Sequence, residues 1–330
     1  MLIMNEQAYR AASEHAVYLD RSSAGCIEIT GRDRLVLINR LSTNAVLNLA
    51  LGTGQITVLT TNIGRIIDLI TVFAIDDDTI WVITSANRGA QLTTYFGRNK
   101  FYGDQFKVRD VTESVHQMRV YGSQATAMLE RLTSQSLEHV GLWQHLSAEI
   151  DGCPVRLARI RPMRGAGWAI FADLAAADAL CEAFDDANAA LLDRPTYHTL
   201  RVEAGYPALN ELNEEFIPLE ANLWDAVSFN KGCYIGQEII ARMDSRGRLA
   251  KKLQGLGLSG AVEVPATLTK NGQDAGTLTS VVWSPALNQY IGLGYVRTGH
   301  ELGSELTIGE QQATVVELPF IAQTEPTTVE

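Results

Sequence analysis

Residues 200–248 read LRVEAGYPALNELNEEFIPLEANLWDAVSFNKGCYIGQEIIARMDSRGR. At the head of this stretch, Leu200-Arg201-Val202-Glu203-Ala204-Gly205 alternates apolar and polar residues, which predicts a strand with Arg201 and Glu203 on one face. A carboxylate so placed can accept a ring N–H and an exocyclic amine side by side, the pattern that pterin and guanine rings present. The competing reading is an exposed Arg–Glu pair worth under ~1 kcal/mol. Further on, Lys231-Gly232-Cys233-Tyr234-Ile235-Gly236-Gln237-Glu238 is sharper. Its glycines allow a tight turn or a close backbone approach, and QEIIARMDSRG predicts a helix stopped by Gly247. Cys233 then precedes a helix N-terminus and lies two residues from Lys231. Dipole and cation both favour thiolate, the nucleophilic and metal-binding form. The alternative is a small cysteine filling a crevice between domains.

Upstream of this stretch, 15–31 predicts a strand ending in CIEITG, and 33–41 a short helix. The run from Gly54 to Ser85 is β-rich and broken at Asn62-Ile63-Gly64 and Asp76-Asp77-Asp78, which predicts an antiparallel meander. Asp68 is a lone carboxylate among Ile66, Ile67, Leu69 and Ile70, so it faces solvent or has a purpose. Helices are predicted over 87–100, over 123–134 with Ser123 as cap, and over 174–192. Tyr197 and His198, with Trp224, are candidates to pack a planar ligand. Two successive units of strands with covering helices make an α+β fold.

Downstream of about residue 250 only short strands and turn signals remain. Asn271-Gly272 marks a hairpin, and a small β-barrel is expected. Gly255, Gly257 and Gly260 spell GxGxxG, but no helix follows, so it is read as a chance match. The domain boundaries expected are 1–250 as two α+β subdomains split near 115–120, 251–325 as the barrel, and 326–330 as a tail.

The chain has 330 residues and a net charge of −11. That balance argues against direct binding to nucleic acid or to anionic membranes, and no apolar run is long enough to span a bilayer. Cys26, Cys153, Cys181 and Cys233 have no disulfide or zinc spacing, so a cytoplasmic setting and no protein-built metal site are expected, with the first three cysteines structural.

KGCYIGQE with the downstream ARMDSRG resembles the signature of the YgfZ-type folate-binding proteins, relatives of the glycine-cleavage T-protein linked to iron–sulfur cluster maturation. EITGRDRLVLINRLSTNAV and LRVEAGYPALNELNEEFIPLEANL are similar to other parts of that family, so the resemblance covers almost the whole chain. It implies a T-protein-like fold of two α+β subdomains and a C-terminal β-barrel around a central hole that holds tetrahydrofolate or a one-carbon derivative. It implies that Glu203 holds the pterin, with Arg201, Asn62, Tyr197 and His198 as further cofactor-binding candidates. Cys233 is then the functional cysteine, framed by Lys231, Gly232, Tyr234, Gly236, Gln237 and Glu238. The partners implied are folate and iron–sulfur client proteins, including tRNA-modifying enzymes, or the cluster-assembly machinery, and a monomer is expected. The alternative within the superfamily is a folate-dependent aminomethyltransferase, with Asp68 as its acid–base residue. Aminomethyltransferases carry paired aspartates after the meander glycine, whereas here 64–69 has Asp68 alone. A third alternative, a cysteine-nucleophile enzyme, needs a base that the sequence does not place near Cys233.

Overall fold

The structure is a computed structural model, and it describes residues 4–322. The chain opens with helix α1 (Glu6–Glu14) and strand β1 (Val17–Asp20), then runs through β2 (Ala24–Thr30) and α2 (Arg34–Leu41). The meander β3 (Gly54–Thr60), β4 (Ile66–Ala74) and β5 (Thr79–Ala86) is followed by α3 (Gly89–Arg98) and β6 (Lys107–Asp110). Next come β7 (Val115–Gly122), α4 (Ala125–Thr133), β8 (His145–Ile150), β9 (Cys153–Arg159), β10 (Ala166–Asp173), α5 (Ala177–Asp186), β11 (Ala190–Leu191) and α6 (Arg194–Glu203). An irregular segment leads to α7 (Gln237–Arg246). The chain ends in β12 (Lys251–Leu258), β13 (Ala266–Lys270), β14 (Gln273–Ser284), β15 (Gln289–Arg297), β16 (Glu305–Ile308) and β17 (Gln311–Val316).

These strands form three bodies. A five-stranded sheet has the order β3-β4-β5-β2-β6, a six-stranded sheet has the order β11-β1-β7-β10-β9-β8, and β12 to β17 close into a barrel. The α+β architecture with a C-terminal barrel therefore stands. The predicted strand over 15–31 is in fact two strands in different sheets, because β1 pairs with β7 while β2 pairs with β5 and β6. The split expected near 115–120 falls inside β7, and α1 and β1, far earlier in the chain, belong with the second sheet. The expected tail, 326–330, lies outside the described residues.

Three local readings are corrected. The helix over 174–192 starts as expected, with a 3-10 turn (Leu174–Ala176) leading into α5, but ends early, at Asn188 in the left-handed region at φ 59° before a short strand. Ser123 does not cap α4, whose first turn has no side-chain cap. Most consequentially, the predicted strand at Leu200 is the last turn of α6. Asp193 accepts from Thr196 N at 2.7 Å, Pro195 fills the first turn, and Gly205 at φ +72° ends the helix. These start and stop signals outweigh six residues of alternation. The GxGxxG glycines fall in and just after β12, a barrel strand, so no dinucleotide turn exists there. The Asn271-Gly272 hairpin joins β13 to β14 with both residues at positive φ, the geometry of a type I′ turn.

Helix α6 ties the bodies together. Arg201 is 3% exposed, and its guanidinium reaches Glu211 at 2.9 Å and Ser280 of β14 at 2.6 Å. Ser280 in turn donates to Glu211 at 2.6 Å, and Tyr295 of β15 donates to the Glu211 carbonyl at 2.7 Å. A bulge in β14 between Leu278 and Ser280 shifts the register just before Ser280. Glu211→Ala would leave the buried Arg201 charge unpaired. It is expected to cost about 3–5 kcal/mol in urea denaturation. A loss below about 1 kcal/mol would mean the network is not holding the barrel.

Candidate functional site

A cavity of about 770 Å³ opens where the bodies meet. Its walls come from the β1–β2 turn (Leu19, Arg21), the end of β5 (Asn87), the first two turns of α6 (Tyr197, His198) and the β14–β15 hairpin (Trp283). Volume and composition suit a drug-sized ligand with an aromatic ring. Tyr197 and His198 therefore do face a shared cavity. Arg21 lies 5.5 Å over the Tyr197 ring. His198 Nδ1 accepts from Arg201 Nε at 3.1 Å and from Nη2 at 3.0 Å. Those contacts place the imidazole proton on Nε2. Burial first, and Arg201 second, push the His198 pKa down to about 4.

Arg201 and Glu203 are two residues apart on a helix, so they point in different directions rather than sharing a strand face. Glu203 is fully buried. One of its oxygens accepts from Tyr9 of α1 at 2.7 Å and from Ser284 of β14 at 2.5 Å, and the other accepts from Arg164 at 2.5 Å. Burial pushes its carboxyl up in pKa while Ser284, Arg164 and Tyr9 oppose the shift. The Tyr9 phenol is itself raised to about 12, by burial and by Glu203. Neither Glu203 nor Arg201 lines the cavity, and both are engaged in internal networks. Complete burial leaves Glu203 no face open to a pterin in this structure.

Asp68 is buried on the face of β4 that it shares with Ile70 and Val72, under α2 and α3. Its carboxylate accepts from Ser85 N at 3.0 Å and Ser85 Oγ at 2.5 Å, with Arg88 Nε at 4.0 Å. Burial raises its pKa, against Ser85 and Arg88. These bonds tie β5 to β4. Asn62 is exposed at the β3–β4 turn and does not reach the cavity.

The KGCYIGQE segment lies elsewhere, against α2 and the β3–β4 turn. Lys231 Nζ donates to three carbonyls at and just beyond the C-terminal end of α2: Asn39 at 2.6 Å, Ser42 at 2.8 Å and Asn44 at 2.6 Å. A cation at a helix C-terminus is favourable, and burial moves this ammonium down to about 8. Ile235 N donates to Arg40 O, and Thr60 Oγ1 donates to Ile235 O. Gly236, at φ +86°, caps α7, and a Cβ there would come within 2.9 Å of Thr61 O, Thr60 Oγ1 and Gly64 Cα. Cys233 is exposed, unlike the buried Cys26 and the half-buried Cys153 and Cys181. Lys231 spends its donors on these carbonyls, and Cys233 lies on the loop just ahead of α7, as expected. Tyr234 is buried and Lys231 lies 5.0 Å over its ring, while Gln237 and Glu238 start α7. No residue of this segment lines the cavity at α6. Among the described residues no group of three or more His, Cys, Asp or Glu side chains is arranged to hold a metal ion. Arg21 and Trp283, which sequence reasoning missed, stand out only once β1 and the barrel hairpin are brought to α6.

The GCVT N-terminal domain matches residues 3–231, and the glycine cleavage T-protein C-terminal barrel domain matches residues 251–321. The chain belongs to the glycine cleavage T-protein family. It is 30% identical over 318 residues to the aminomethyltransferase of Rubrobacter xylanophilus, covering 94% of this chain and 85% of that protein. It is 27% identical over 325 residues to the chloroplastic "Putative transferase" of Arabidopsis thaliana, covering 98% and 75%. The crystal structure of the glycine cleavage system aminomethyltransferase T from Bartonella henselae superposes with a TM-score of 0.87 at 20% identity, over 97% of this chain and 90% of that one. The fold is thus T-protein-like. No described helix is long and apolar enough to cross a membrane.

Two predictions follow from this geometry. Gly236→Ala meets both a left-handed backbone and close backbone atoms, whereas nothing lies within 4 Å of a Cβ at Gly232. Gly236→Ala is therefore expected to cost more than about 2 kcal/mol and Gly232→Ala about 0.5 kcal/mol or less, read by thermal denaturation. Equal effects would contradict the packing described. His145, whose pKa is also held near 4 by burial and then Arg156, joins His198 as a neutral histidine in the folded chain. Below pH 6.5 the unfolded chain binds protons that these two sites refuse until about pH 4, so their contribution to stability falls as pH drops through that window. Replacing both by Gln should flatten the loss between pH 6.5 and 4 by about 1–2 kcal/mol, discounted for partial solvent access. Parallel stability curves for the two proteins would contradict it.

Proposed function

We propose that this protein binds a tetrahydrofolate in the cavity at α6 and serves iron–sulfur cluster maturation in the YgfZ manner, rather than transferring aminomethyl groups. The observation that carries this reading is the contrast between its two candidate reactive residues. Asp68 is buried and bonded twice to Ser85, with no free face for an amine, while Cys233 is exposed on a loop pinned by Lys231. Aminomethyl transfer needs a group able to orient or accept a proton from the amine at the folate. Asp68 is the lone aspartate of the 64–69 stretch, where paired aspartates are expected of the transferases, and the neighbouring Ile67 is half-buried against the core beneath α2 and α3.

The cavity fits a folate in kind. Tyr197 and Trp283 offer ring faces, Arg21 offers a cation, and His198 Nε2–H offers a donor. Glu203 contributes by holding α6 against α1 and the barrel, and a direct bond to the pterin would require the packing that buries it to open. The aminomethyltransferase reading keeps the support of the relatives' names and of the shared fold.

Calorimetric titration with tetrahydrofolate is expected to give micromolar binding that Cys233→Ala leaves unchanged. Gene deletion is expected to lower the activity of iron–sulfur enzymes, including tRNA-modifying ones, with rescue by the wild type and not by Cys233→Ala. Methylene-tetrahydrofolate formation from an aminomethyl-loaded carrier protein, abolished by Asp68→Ala, would instead establish the transferase.

A further inference from the structure

His198 stands on the second turn of α6, between the cavity and a buried arginine. Arg201 lies three residues further along, close to the same face of the helix. All five of its N–H groups are spent. Nε donates to His198 Nδ1 at 3.1 Å, and Nη1 donates to Tyr206 O at 3.1 Å and to Glu211 Oε2 at 2.9 Å. Nη2 donates to Ser280 Oγ at 2.6 Å and to His198 Nδ1 at 3.0 Å. A guanidinium in a protein keeps its proton, so it is always a donor. Nδ1, facing two of its N–H groups, can therefore only accept, and the ring proton is fixed on Nε2. Turning the ring over would set Cδ2–H against the guanidinium and forfeit both bonds. The Nε2–H has no partner among the described residues, and it is not one of the buried polar atoms left without one, so it opens onto accessible space at the cavity.

An ordinary neutral histidine can present a donor or an acceptor, by moving its proton from one nitrogen to the other. His198 can only donate. The charged groups on the same walls are of both signs, Glu6 and Asp20 with Arg21 and Arg194, so they select no ion of one sign. A neutral donor near the apolar Leu209 and Trp283 suits a neutral carbonyl on a planar ring. We propose that His198 Nε2–H donates to the ring carbonyl of a 2-amino-4-oxo pteridine and excludes the 2,4-diamino form. The carbonyl completes the hydrogen bond. An amine in its place sets two donors against each other, both taken from water and left unpaired. The proposal rests on the folate reading for the identity of the ring.

Calorimetry on the full chain tests this with tetrahydrofolate, with folic acid and with aminopterin, which carries an amine where folic acid has the ring carbonyl. The wild type should bind folic acid about tenfold more tightly than aminopterin, or better. His198→Phe keeps a flat ring and removes both nitrogens. It should weaken folic acid by about tenfold, leave aminopterin unchanged and so erase the preference. His198→Gln should keep part of the preference, because its carbonyl can accept from Arg201 while its amine faces the cavity. In NMR of isotope-labelled histidine, the His198 Nε2 proton should move downfield and exchange more slowly with folic acid but not with aminopterin, a response that a purely structural histidine would not give. If tetrahydrofolate binds but the wild type holds folic acid and aminopterin equally, or the preference survives in His198→Phe, the proposal is overturned and the folate reading stands. If none of the three pteridines binds, the folate reading fails and this proposal with it. Should His198→Phe not fold, the wild-type pair and the NMR response decide, with an unmoved Nε2 proton overturning the proposal.

Discussion

Helix α6 is held by buried charge, and the geometry of the cavity depends on it. Arg201 turns one way to Glu211 and Ser280, and Glu203 turns another to Arg164, Tyr9 and Ser284. Between them they connect the N-terminal helix, the second sheet and the barrel. Buried ion pairs contribute little net stability, since desolvation offsets much of their attraction. They do penalise any arrangement in which one partner is left alone. That penalty is what positions Tyr197 and His198, on the preceding turns of the same helix, against the cavity.

The Cys233 loop obeys a separate constraint. Lys231 satisfies carbonyls at and just beyond the end of α2, and Gly236 fits where no side chain could. Both residues serve the placement of the loop, and the cysteine between them stays exposed. The protein therefore presents two chemically different places: an open cavity between its bodies lined by aromatic and charged side chains, and an exposed thiol on the first of them. A ligand in the cavity need not meet the thiol, and the coupling between the two would run through β3, β4 and the barrel.

Much of this was legible in the sequence. The barrel announced itself through Asn271-Gly272 and the loss of helical periodicity, and the meander through Asn62-Ile63-Gly64. Helix α7 was readable from Gly236 and Gly247. Residues 200–205 were misread because alternation over six residues cannot tell a strand from a helix end; Asp193 and Pro195, two turns upstream, carried the deciding signal. That error put Arg201 and Glu203 on one face and offered both to a ligand. Arg21 had no sequence signal at all, since only the docking of α6 on the end of β1 sets it over Tyr197, more than 170 residues away in the chain. Lys231 was noticed, but its acceptors are backbone carbonyls of a distant helix end, and no sequence pattern marks a carbonyl.

Hydrogen exchange with and without tetrahydrofolate tests the central claim most directly, because it reports on both places in one experiment. Added ligand should slow exchange at 19–23, 86–87, 194–199 and 281–290, the walls of the cavity, and leave 230–236 unchanged. Protection confined to 230–236, with the cavity walls unaffected, would contradict the claim that the ligand lies at α6.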